Sequence, residues 1–100
     1  MIVLRFKAHI QPDKVEATLA AFREVVAPSR ETEGVISFDV GRDLADPNSI
    51  VAVEVFQDAA ARERQEALPE VGNVMSLLPE ALSAPPEATV FQVSSSESAL

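Results

Sequence analysis

The chain has 100 residues, no cysteine, tryptophan or tyrosine, a single histidine, and sixteen acidic against eight basic side chains for a net charge of −8. That length suits one domain, which buries roughly 60 to 70% of its unfolded surface. The missing cysteines exclude a disulfide framework, a thiolate zinc site, an iron–sulfur cluster and a cysteine nucleophile, and the negative charge disfavours nucleic acid and anionic membrane surfaces.

The opening "MIVLRFKAHI" is interrupted by Arg5 and Lys7 and lacks a leader-like pattern, and no stretch reaches the ~20 apolar residues of a membrane span. A soluble, cytoplasmic protein is the expectation. Residues 1–30 carry five of the basic side chains and three acidic ones, so positive charge is concentrated on the first two elements.

In residues 2–10, Ile2, Leu4, Phe6, Ala8 and Ile10 alternate with Val3, Arg5, Lys7 and His9, which predicts a strand with one apolar face. "QPDK" then opens a helix, with Pro12 tolerated and Asp13 favoured in its first turn. Val15, Leu19, Phe22 and Val26 form its core stripe, and the helix should end near Pro28. Gly34 can supply a positive φ for the turn out, and Val35 to Val40 alternate as a second strand. The turn residues of "GRDLADPNS" lead into a third strand, Ile50 to Phe56, to complete a long hairpin. Both faces of this third strand are apolar apart from Glu54, so the sheet should need cover on both sides, from helices on one and a second subunit on the other.

Asp58 is an N-cap candidate for a helix over "AAARERQEAL", and Pro69 starts a further helix carrying Val71, Val74, Met75, Leu78 and Leu82. A fourth strand is expected over Ala88 to Val93. The order predicts an α+β fold of the ferredoxin-like βαββαβ type, an antiparallel four-stranded sheet with helices on one face. One domain should span residues 1–93, and "SSSESAL", residues 94–100, should be a disordered tail.

With the "QPDK" helix start, "RETEGVISF", "DLADPNS", "VAVEVFQD" and the helix after Asp58 in this order, the chain resembles the antibiotic biosynthesis monooxygenase (ABM) family, a group of dimeric α+β barrels. The resemblance covers residues 1 to about 93. It implies a homodimer whose sheets face each other, and a pocket between sheet and helices for a small aromatic or hydrophobic molecule. It also implies a monooxygenase that uses O2 without metal, flavin or other cofactor on an aromatic, polyketide or quinol-type substrate. The alternative is a non-catalytic, small-molecule-binding or stress-related dimer. The sequence departs from the family pattern at three places. Gln65 stands where a histidine is usual, Phe38 where a tyrosine is frequent, and Phe56 where a tryptophan is frequent.

Cofactor-free oxygenation asks for a dry pocket, a base and partners for the substrate anion. Glu54, a carboxylate in an apolar strand, and Gln65 are the catalytic candidates, with Phe22, Phe38, Phe56, Asn73 and Phe91 as candidate substrate contacts. A structural ion pair of Glu54, with Arg5 of a neighbouring strand or subunit, is the competing reading for that residue. His9 has a base-like pKa but shares its strand face with Arg5 and Lys7, which favours a solvated or dimer-facing position. One histidine and scattered carboxylates make neither a metal site nor a haem ligand on the helices.

Overall fold

The computed structural model describes residues 1–100. The alternation at the start of the chain becomes β1 (Ile2–His9), followed by a short 3-10 turn at Pro12–Lys14 and α1 (Val15–Glu31). The hairpin β2 (Val35–Arg42) and β3 (Ser49–Phe56) comes next, then α2 (Ala59–Glu66), α3 (Pro69–Ala81) and β4 (Glu87–Gln92). The four strands form one antiparallel sheet in the order β2-β3-β1-β4. This is the expected ferredoxin-like arrangement.

Strand alternation gives the sheet an inner face toward the helices. Ala8, Ile10, Phe38 and Ile50 pack there against Val15, Leu19, Phe22 and Val25 of α1 and Val74, Leu78 and Ala81 of α3. A smaller cluster of Ile2, Phe56 and Ala61 seats α2 on the opposite end of the sheet. No helix covers the outer face, where the parity of β1 and β3 sets Arg5 against Val53 and Lys7 against Val51. There Val53 and Phe91 keep 40% and 48% of their surface exposed.

α1 does not stop near Pro28 but runs on to Glu31. A proline removes one intrahelical hydrogen bond. Here the following turn is held from outside the helix: Ser29 is buried and accepts from Gln65, and the Arg30 Nε donates to the Phe38 carbonyl. Thr32 closes the end, its hydroxyl donating to the Pro28 carbonyl and its N–H to the Ser29 carbonyl.

Gly34 joins α1 to β2 with φ +86°, and a Cβ at this position would lie 2.5 Å from the Ala61 Cβ. It therefore serves two needs, a left-handed backbone and contact with α2. Asp58 caps α2, accepting from the Ala61 N–H at 2.9 Å. No helix is long and apolar enough to cross a membrane. Residues 94–100 form neither helix nor strand.

Candidate functional site

Between the inner sheet face and the helices lies a cavity of about 440 Å³. Its walls are apolar: Leu4 and Phe6 from β1, Phe22 from α1, Phe38 from β2, and Val74, Met75 and Leu78 from α3. Its polar groups come from three residues, Glu54 of β3 and Gln65 and Glu66 of α2. Apolar walls with a few convergent polar groups are what small-molecule sites share.

Glu54 reaches this position through strand parity, which puts it on the same face as Ala52 and Phe56. Its neighbours across the ladder are Leu4 on β1 and Phe38 on β2. Arg5 is paired with Val53 and points to the other face, so Arg5 and Glu54 form no ion pair within the chain. Burial, and next the nearby charge of Glu66, push the Glu54 carboxyl up to about 7, with Arg62 opposing them. Arg62 is itself occupied, its Nε donating to the Glu66 Oε1 at 2.7 Å. Glu54 can therefore both accept and return a proton near neutrality.

Gln65 is 2% exposed, far from the solvated helix position its polar neighbours in sequence suggest. Its Nε2 donates to the Ser29 Oγ at 3.0 Å, which fixes the side chain at the cavity wall and leaves Oε1 as its unused acceptor.

The structure thus brings together Glu54, Gln65, Phe22 and Phe38 of the sequence candidates. The other three lie elsewhere. Phe56 is fully buried in the cluster with Ile2 and Ala61. Asn73 is exposed on α3. Phe91 is opposite Val3 on the outer face. Sequence reasoning missed Phe6, Met75 and Glu66 as wall residues. The signals for the first two were present, since Phe6 shares the face of Leu4 and Met75 the helical stripe of Val71 and Leu78.

His9 sits across the sheet from the cavity. Its Nδ1 is 2.9 Å from the Ser49 Oγ and its Nε2 2.8 Å from the Glu87 Oε2, while the Ser49 hydroxyl donates to Asp46 at 2.6 Å. Ser49 is completely buried and its proton is committed to Asp46, so this Ser–His–Glu chain holds strands together rather than presenting a nucleophile. An adjacent open cleft of about 400 Å³, lined by His9, Asp46, Asn48 and Ser83 among others, lacks the aromatic walls of the inner cavity. No three His, Asp or Glu side chains converge as a metal would require.

Comparison with known proteins gives a consistent picture. The family model described as antibiotic biosynthesis monooxygenase matches residues 1–76. The uncharacterized protein sll1783 of Synechocystis is 26% identical over 96% of the chain, which spans 65% of that protein's length. YcnE of Bacillus subtilis, provisionally named a monooxygenase, is 29% identical over 85% of the chain and 90% of its own length. Among solved structures, Rv0793 from Mycobacterium tuberculosis superposes with a TM-score of 0.87 at 21% identity, covering 97% of this chain and 98% of its own.

Proposed function

The chain belongs to the antibiotic biosynthesis monooxygenase family, and from that premise we propose that it is a cofactor-independent monooxygenase acting on a small aromatic, polyketide or quinol-type molecule. The observation that carries this reading is Glu54, a carboxyl without an ion-pair partner, held near a pKa of about 7 inside an aromatic-walled cavity. The substrate ring lies against Phe6, Phe22 and Phe38, with its acidic C–H or O–H toward Glu54 and a hydroxyl toward the Gln65 Oε1. Glu54 takes the proton. The resulting electron-rich anion transfers an electron to O2, and recombination at the same carbon gives a hydroperoxide. Loss of water then leaves a carbonyl, so that CH2 + O2 becomes C=O + H2O with the substrate as the sole reductant. The apolar walls thin out the water around Glu54, which keeps the base strong.

The test is dissolved-oxygen uptake by the metal-free protein over a panel of anthrones, hydroquinones and polyketide phenols, with product masses recorded and heat-denatured protein as blank. Uptake with gain of oxygen, lowered at least ~100-fold in Glu54→Gln, is the expected result. Uptake that Glu54→Gln leaves unchanged removes Glu54 from the mechanism.

A second reading, a non-catalytic binding protein, is favoured by one specific feature: the amide N–H of Gln65 is spent on Ser29. Ligand-induced thermal shifts without turnover across the panel would support it. In either case the working form is a homodimer. The uncovered outer face, with Val3, Val51, Val53, Val55 and Phe91, receives a second copy. Sedimentation of Val53→Asp should then show monomers, and a monomeric unmodified protein would overturn the dimer.

A further inference from the structure

The cavity is lined by ionisable side chains of one sign. Its polar lining is Glu54, Glu66 and Gln65, and no lysine, arginine or histidine lines it. The nearby cation, Arg62, is held by Glu66 through its Nε. Glu54 has no ion-pair partner of its own, and the Glu66 charge further disfavours its ionised form. Arg62 is thus the one nearby cation for two carboxyls, and with Glu54 ionised a negative charge is left over between them. A ligand cation there would relieve the repulsion and meet acceptors ready for its hydrogens. An anion would be taken out of water with no donor to replace it.

The walls point the same way. Phe6 and Phe22 lie 6.2 Å apart at 37°, Phe38 also lines the cavity, and aromatic faces attract a cation that has lost its water. The net charge of −8 also raises the local concentration of cations and lowers that of anions.

We infer that this cavity selects, among apolar molecules that fit it, those carrying a protonated amine, and turns away their carboxylate counterparts. The ammonium is placed between Glu54 and Glu66, with the apolar body against the phenylalanines. It binds one oxygen of Glu54 and leaves the other as acceptor for the reacting group. The assignment rests on the cavity being the ligand site of the proposed monooxygenase and names the class of molecule that enters it.

The test uses three probes of nearly equal shape: naphthylethylamine, naphthylacetate and ethylnaphthalene. Without tyrosine or tryptophan the protein adds little emission of its own, so naphthalene fluorescence reports binding directly. At pH 8 the amine should bind at least about tenfold more tightly than the acetate, the size of effect expected of a charge-assisted hydrogen bond. Its affinity should rise from pH 6 to pH 8 as Glu54 ionises. Both the preference and the pH dependence should vanish in Glu54→Gln combined with Glu66→Gln. An acetate bound as tightly as the amine, or a preference that survives the double substitution, overturns the assignment. Failure of oxygen uptake with the amine preference intact would discard the monooxygenase while the cavity remains an amine site. If no probe binds at any pH, both fall.

Discussion

On the outer side of the sheet, Asp43 meets the Lys7 ammonium at 2.9 Å and Glu87 meets the His9 ring at 2.8 Å. On the inner face Glu54 meets Leu4 and Phe38 across the ladder and has no cation within ion-pair reach. The same functional group is driven in opposite directions. A hydrogen bond from Lys7 lowers Asp43 and one from His9 lowers Glu87, whereas burial raises Glu54 to about 7. A pair at the surface keeps an ordinary charge in place; an unpaired group under the helices is kept reactive at a cost in stability.

The signs follow from linkage. Below the ordinary value of 4.5 Glu54 is protonated in both folded and unfolded chains and costs nothing. As pH rises from 4.5 toward 7 the unfolded chain releases this proton first, so stability falls, and above that range the full penalty is present. For Asp43 and Glu87 the contribution is present above their unfolded values and is lost as pH falls through the lowered folded ones. For Lys7, raised above 10.5, it is present below that value and is lost as pH rises through the folded one.

Four main substitutions, with Ile36→Ala and Ala61→Gly as controls, test this contrast. The largest effect is expected from Phe38→Ala, which empties part of the inner wall and should destabilise by about 3 to 5 kcal/mol in urea unfolding. Ile36→Ala, two residues earlier in the same strand but turned outward at the β-bulge and 56% exposed, should stay within about 0.5 kcal/mol. Next is Gly34→Ala, at about 2 to 4 kcal/mol, because it adds both a strained φ and a clash with α2. Adding Ala61→Gly should restore the steric part alone. Glu54→Gln comes third and has the opposite sign, stabilising by at most about 3 kcal/mol at pH 8 and leaving pH 4 unchanged in thermal melts. The smallest is Asp43→Asn, which should slightly lower stability at neutral pH and flatten the acid arm of the melting profile. If Glu54→Gln also destabilised at pH 8, the two sides of the sheet would not differ in the way described.

The fold was readable in local patterns, and the site only partly so. Period-two alternation assigned Ile2 to Ile10 and Ile50 to Phe56 their faces, and the Asp58 cap marked the start of α2. Pro28 misled because tertiary anchors at Ser29 and Arg30, invisible in a helical period, outweigh one lost hydrogen bond. Glu54 and Gln65 stood out as polar residues in suggestive places, yet their meeting depends on how α2 seats over β3 through Ala61 and Phe56. Phe91 went astray for a related reason. Its face is set by the β1–β4 register, and nothing within β4 itself specifies that register. Asn73, directly before Val74, is turned by about 100° from the core stripe, which helical geometry alone would have shown.

The strand order has a consequence for how the chain assembles. β1 is made first, but one of its edges is closed only by β4, through pairings from Lys7↔Glu87 to Ile2↔Gln92. None of the buried core residues lies on β4. A nascent chain can therefore consolidate its interior while β1 still presents an open hydrogen-bonding edge. That edge accepts any strand of matching register, including β4 of another copy, so the closing strand is also the one most easily exchanged between molecules. A chain shortened before Glu87 should keep its helices and its inner packing, polymerise slowly through β1, and be rescued by a peptide of residues 87–92 supplied in trans.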